Sequence, residues 1–436
     1  MDRTLLLAVI SIAALLPFER LGAFTAVGVN VRPSQVVLLI AWLLYARLWL
    51  CGKAKLEWRN KTFLALAAFF AAAGLSLLNT ENLNRSLVTL AFTIFTASLA
   101  VLLPNVLKDE ASFKKVRAAI LFSAALVSIF GLWQFVGDML GAPTWMTGLR
   151  ETYSRAILGF TRVQATAAEP LYFADYLLLP IALAGAWLLR NPEAKTRRLL
   201  SVLLGVMLIN VFLTSSRGGW LGCGVTTIVL LWLERERLRD WRPLARSAGI
   251  ALAALAVGVT LLGSFFSPTR DTVTDTFFRH VTTITDGAAF DERAQTITAA
   301  IDAWRIHPWI GVGFGGYGPY VSTFALAKPD AGWPIVNNET LELLAETGML
   351  GLAAFVIFLI AVFHESGWRR RYPFRHPLVP EGMSPKADRV AAAVRVACIA
   401  ALVGMLAQYQ TFSTLYIMHV WFTIGLLLAS SKSARA

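Results

Sequence analysis

Apolar runs long enough to cross a bilayer follow one another along almost the whole chain, and clusters of Lys and Arg mark every second gap between them. Roughly 30 Å of hydrocarbon takes about 17 to 25 mostly apolar residues in a helix, and about twelve segments meet or approach that length. They lie near 4–17, 34–51, 62–79, 86–106, 115–137, 171–189, 199–214, 219–234, 247–266, 341–363, 390–407 and 412–430. With 56% hydrophobic and 15% charged residues and a mean hydropathy of +0.60, too little polar surface remains for a soluble globule of 436 residues. The expectation is an all-α integral membrane protein, a single polytopic domain over 1–436.

Lys and Arg gather at 47–61, 108–117, 190–198, 235–246 and 369–389, and in the tail at Lys432 and Arg435. The net charge of +13 therefore reads as topology, and no nucleic-acid partner is expected. Basic loops stay cytoplasmic and contact anionic lipid. Both termini then lie inside and the alternate loops face outward. The apolar run behind Arg3 is followed by further spans, so it reads as an uncleaved signal anchor. Cys51, Cys223 and Cys398 lie in or beside spans without metal-ligand spacing, which supports neither a disulfide framework nor a zinc site.

Two outward segments are long enough to hold structure, 137–170 and 267–338. In the larger one, 291–305 reads as an amphipathic helix with Ala294, Ile297, Ile301 and Trp304 on one side, ended by His307-Pro308. The glycines from 311 to 318 predict turn or coil, because each costs a helix about 1 kcal/mol. Asn337 or Asn338 is placed to cap the helix that re-enters the membrane. On that helix Glu339, Glu342 and Glu346 share a face, which must turn to protein or to a water-filled cavity.

Gly311-x-Gly313-x-x-Gly316 has the form of a dinucleotide fingerprint, but it follows a helix rather than a strand and lies outside the cytoplasm, so no nucleotide site is read from it. Asp271 and Asp275 read as a solvated loop face. More informative are arginines on the outward side: Arg150, Arg155, Arg162, Arg217, Arg270, Arg279, Arg293 and Arg305. Arg217, in a very short outer turn, sits at headgroup level, where it takes a phosphate bidentately or snorkels to ordinary lipid. Trp309, Phe314, Tyr317, Tyr320 and Trp333 crowd the outer loop as interfacial anchors, or as faces on which a sugar stacks.

The turn Thr214-Ser215-Ser216-Arg217-Gly218, Arg293 ahead of His307-Pro308-Trp309-Ile310-Gly311-Val312-Gly313, and Asn337-Asn338-Glu339-Thr340-Leu341 together resemble the O-antigen ligase and polymerase superfamily. A weaker echo runs from Arg162-Val163-Gln164 to Glu169-Pro170-Leu171-Tyr172, and the resemblance covers residues 155–351. It implies a type-C glycosyltransferase of the bacterial inner membrane, needing neither metal nor cofactor, with its site in large periplasmic loops that carry short helices. Such an enzyme moves a glycan from undecaprenyl diphosphate to lipid A-core during lipopolysaccharide maturation. In that reading Arg217 and Arg293, with Arg162, hold the diphosphate. Arg155, Gln164, Asn338, Glu339, Gly313 and Tyr317 complete the implied substrate-binding set.

One position departs from the family pattern. Asn337 stands where the family carries the His proposed as catalytic base, and a carboxamide accepts no proton near neutral pH. Three readings stay open: a base-deficient form, a base supplied by Glu339 or His307, or a reaction less dependent on that base. Within the superfamily the alternatives are an O-antigen polymerase and a protein O-oligosaccharyltransferase. Outside it the alternative is a flippase for lipid-linked glycans, against which stand the long outer loop and the lack of evident repeat halves. The topology is testable by labelling from outside: a Lys328→Cys variant should react and an Arg371→Cys variant should not, and the reverse pattern would invert the orientation.

Overall fold

The computed structural model describes residues 2–26, 29–57, 60–190, 192–240, 288–322, 324, 326, 332–367, 388–413 and 415–433. The span expected at 247–266, with Arg270, Asp271, Asp275 and Arg279, lies outside the described residues. Helix α1 (Arg3–Leu15) leads into an antiparallel hairpin of β1 (Phe24–Ala26) and β2 (Val29–Val31). The hairpin is a small addition to a mostly helical chain, as the all-α expectation has it: β-branched Thr25, Val29 and Val31 suit extended backbone, and Thr25 donates across the pair to Asn30 Oδ1 at 2.9 Å.

There follow α2 (Pro33–Leu50), α3 (Lys61–Ser76), α4 (Leu83–Ala97), α5 (Leu99–Val106), α6 (Glu110–Met139), the short α7 (Thr144–Thr147) and α8 (Arg155–Leu158), α9 (Pro170–Leu188), α10 (Ala194–Leu213) and α11 (Arg217–Leu233). The last third holds α12 (Ala288–Ile306), α13 (Tyr317–Val321), α14 (Glu339–Glu365), α15 (Asp388–Gln408) and α16 (Met418–Ser433). Eight helical segments among the described residues are long and apolar enough to cross a membrane, while α1, α11 and α16 are shorter apolar helices. The coil expected through Gly318 stops early. Gly311, Gly313 and Gly315 have positive φ, but Gly316 at −92° does not, so the chain turns into α13 at Tyr317.

Helix α9 is apolar all round and is buried nearly all round, as such a helix must be. It packs against α10, α11 and α15, and α15 in turn packs against α11 and α16. Outward stand Leu39, Leu43, Leu64, Phe122, Ile129, Val202, Ile228, Val356 and Ile360, exposed apolar side chains of the kind that lipid tails solvate.

The loops bond to one another in two sets. At one end Glu365 takes hydrogen bonds from Asn60 and Thr62, Asn105 takes one from the Glu57 N–H, and Arg190 pairs with Glu234 at 2.6 Å. At the other end the first loop bonds to 166–168, the 213–214 turn to Arg162 and Val163, and the 409–411 turn to the start of α14.

That second end is tied to the bundle by a break in α14. Gly348 has φ 63° and ψ −167°, a conformation open essentially to glycine alone, and the helical ladder stops there. The segment 308–313 crosses the gap. Val312 and Gly313 N–H donate to the carbonyls of Ala345 and Glu346 at 2.9 and 3.0 Å, while Met349 and Leu350 N–H donate to Pro308 and Trp309 at 2.9 and 3.1 Å. Inside a membrane every freed backbone group needs such a partner. A Cβ on Gly348 would run into the Trp309 carbonyl, and one on Gly311 into Glu346 backbone. Gly348→Ala should therefore cost about 1–3 kcal/mol or more, read as a lower melting temperature in detergent. An unchanged transition would show that the crossing does not stabilise the fold.

Candidate active site

Turns at 214–216 and 409–411 and the starts of α11 and α14 bring several of the candidate residues to one end of the bundle. Ser215, with φ 49°, reverses the chain after α10, and Ser216 caps α11 by accepting from Gly219 N–H at 3.2 Å. This sets the half-buried Arg217 at the first turn of α11. Gly218 beside it leaves no room for a Cβ against Thr411. Arg162 Nε donates to the Thr214 carbonyl at 3.2 Å, so Arg162 and Arg217 flank one turn.

The 409–411 turn carries the arrangement across to α14. Tyr409 carbonyl accepts from Glu339 N–H at 2.9 Å, and Gln410 accepts from Asn338 Nδ2 and exchanges hydrogen bonds with the Thr340 hydroxyl. Asn338 is the cap of α14, with Oδ1 accepting from Leu341 N–H at 3.0 Å. Asn337 is left to another purpose. Its φ of 58° is a left-handed conformation that Asn tolerates, and its carboxamide makes none of the hydrogen bonds described.

Arg293 lies on α12. Thr296, one turn on, accepts from the Tyr317 hydroxyl with its carbonyl at 3.0 Å and donates to the Val336 carbonyl at 3.2 Å, next to Asn337. Arg293 itself is exposed. Arg305 is instead a surface residue paired with Asp302. Asp138 takes the Arg155 N–H at 2.7 Å, and Gln164 is fully buried beneath the 150–165 segment.

The remaining candidates serve the scaffold. Gly313, at φ 105°, lies against Thr80, and the Tyr317 hydroxyl is committed to Thr296, with burial pushing the phenol up to about 12. Glu346 spends both oxygens on the glycine segment, accepting from Gly315 N–H at 2.7 Å and Tyr317 N–H at 3.1 Å. Glu342 accepts from Val336 N–H at 2.8 Å, and Glu339 is buried. The shared carboxylate face thus turns to protein.

Sequence reasoning missed Arg85, Arg20, Glu19 and Glu169 as parts of this end. Arg85 Nε donates to the Gly315 carbonyl at 2.7 Å, while its guanidinium lies 4.9 Å from the centre of the Trp333 ring. It joins the glycine segment to the strand of chain that presents Asn337. Glu19 pairs with Arg32 at 3.1 Å and accepts from Ala168 N–H at 3.0 Å. Burial raises the Glu169 carboxyl above the usual carboxylate range, and Arg150 and Arg162 draw it back down. Arg20 was legible by the same outward-side rule that singled out Arg150, since that topology would turn the first loop outward as well.

Arg85→Ala should cost about 1.5–3 kcal/mol of stability through its charge-assisted bond, measured by denaturation in lipid–detergent micelles. Arg85→Lys should recover only part, since it keeps the charge and loses the planar fork. Full recovery with Lys would reduce the role of Arg85 to its charge.

No curated protein matches the chain. Residues 200–356 match the family model described as O-antigen ligase, which takes in Arg217, Arg293, the glycine segment and Asn337, and this is consistent with a member of the O-antigen ligase and polymerase superfamily.

Proposed function

We propose that this chain is a glycosyltransferase of the O-antigen ligase kind, which takes a glycan from undecaprenyl diphosphate and places it on lipid A-core at the periplasmic face of the inner membrane. The observation that supports the reading is that the turn carrying Arg217 takes a bond from Arg162, while the chain leading to Asn337 takes one from Thr296, one turn from Arg293, at one end of an apolar bundle. The 200–356 match supports the same superfamily.

In the reaction the bond between the anomeric carbon and the diphosphate oxygen breaks, and the acceptor oxygen forms the new glycosidic bond. The diphosphate leaves with the electron pair of the broken bond. Arg217, Arg293 and Arg162 stabilise that charge by donating to the phosphate oxygens, an electrostatic role that exists fully only as the bond breaks. The acceptor hydroxyl must lose its proton, which without a side-chain base passes to water. Asn337 orients that hydroxyl but does not take the proton, so the chain as it stands is a slow form of the enzyme.

Asn337→His should raise glycan transfer about 10²-fold or more, with donor binding little changed, in paired assays at neutral pH. Arg217→Ala in the same assay should lose both transfer and affinity for the lipid diphosphate. Equal turnover of the unaltered chain and the Asn337→His variant would remove position 337 from proton transfer and turn attention to Glu339 and His307. Extension of the lipid-linked glycan itself, with no product on lipid A-core, would make the protein a polymerase.

A further inference from the structure

Beside the residues assigned to the donor lies a second group of guanidiniums that the reaction does not use. Arg20 Nη1 donates to the Gly148 carbonyl at 2.9 Å, and Arg150 Nη1 donates to the Ala168 carbonyl at 3.2 Å. The buried Gln164 holds the pair together, since its side-chain oxygen accepts from the Arg20 guanidinium and from the Arg150 N–H. Arg150 and Arg162 both lie over Tyr153, at 5.9 and 5.7 Å from the ring centre.

Among the described residues no carboxylate forms an ion pair with Arg20, Arg150 or Arg162. Glu169 is the carboxylate that acts on Arg162 and Arg150, while Glu19 is spent on Arg32. Arg20, Arg150 and Arg162 are thus gathered without an ion pair to any of them among the described residues, and burial and Arg150 both work against the charge on Arg20. A protein that gathers like charges and spends backbone carbonyls and a buried amide on holding them has built an anion receptor. Each guanidinium carries five N–H donors, so donors remain after these bonds.

The rim of this group is apolar. Trp145, Ile157 and Leu21 are 81%, 66% and 58% exposed, on the two segments that carry Arg150 and Arg20. Exposed apolar side chains next to phosphate-binding cations suit an amphiphile whose phosphate sits at headgroup level.

We infer that Arg20 and Arg150, joined through Gln164 and with Tyr153 beneath Arg150, form a second phosphate subsite next to Arg162, taking a phosphate carried on a lipid. If the proposed glycosyl transfer is right, that lipid is the acceptor, and its phosphates fix which sugar hydroxyl faces Asn337. The subsite itself rests on geometry and is testable without turnover.

The experiment measures binding of lipid A and of enzymatically dephosphorylated lipid A to the purified full chain in detergent micelles, by thermophoresis. The unaltered chain should prefer the phosphorylated form. The double variant Arg20→Ala with Arg150→Ala should lose about tenfold or more of its affinity for that form and none for the other. Double replacement by Lys should restore part of it, and Glu169→Gln, which removes the opposing carboxylate, should raise it. These two variants carry the test if the Ala pair does not fold.

Phosphatidylglycerol in the same micelles distinguishes the source: competition at equal concentration assigns the subsite to bilayer headgroups, and failure to compete assigns it to the glycolipid. Undecaprenyl diphosphate binding should survive in the Ala pair and be lost in Arg217→Ala, so failure of the donor assignment is seen separately. Equal affinity of the unaltered chain for both lipid A forms, or an equal loss for both in the Ala pair, overturns the subsite.

Discussion

Hydrogen-bonding the backbone where α14 is interrupted is the constraint on which the rest of this site depends. An apolar interior offers no water, so the carbonyls of Ala345 and Glu346 and the N–H groups of Met349 and Leu350 must be met by protein. The 308–313 segment meets all four. Its course is then set, and with it the positions of Phe314 N–H on Ser76, Gly315 on Arg85 and Glu346, and Tyr317 on Thr296. The glycines are needed because the segment runs against backbone at Gly311 and against Thr80 and Thr89 at Gly313 and Gly315.

Much of the fold was legible because hydropathy and charge are local properties. The long apolar helices described overlap expected spans, the 291–305 helix is found within 288–306, and the Glu339, Glu342 and Glu346 face turns inward. The choice between Asn337 and Asn338 as cap was not legible, since both residues can cap; the left-handed φ of Asn337 decides it. The glycine segment looked like part of a binding loop, and its use as the partner of a broken helix depends on contacts across more than thirty residues. Arg85 and Glu19 escaped for the same reason. Their partners Gly315 and Ala168 are distant in sequence, and no spacing rule links them.

Elsewhere the bundle keeps a polar pair in its core. Asp175 on α9 and His419 on α16 meet at 2.6 Å, both almost fully buried, and Tyr176 packs edge-on to the imidazole. Such pairs add little net stability but penalise any arrangement that separates them. Here the pair pins the central helix α9 against α16 below the outer turns. The charged groups of the site end are thus mounted on a core whose helix register is specified by polar as well as apolar contacts.

The interruption at Gly348 also divides α14 into two bodies. The inner part, from Met349 to Glu365, is anchored at the far end by Asn60 and Thr62 on Glu365. The outer part, from Glu339 to Thr347, hangs instead from the glycine segment and the Gln410 turn. A continuous helix would carry any tilt of the membrane span directly into Asn337. Here the 308–313 segment is bonded to both halves, so the outer part, with Asn337 just before it, takes its bearing from that segment and from the Gln410 turn as well as from the span.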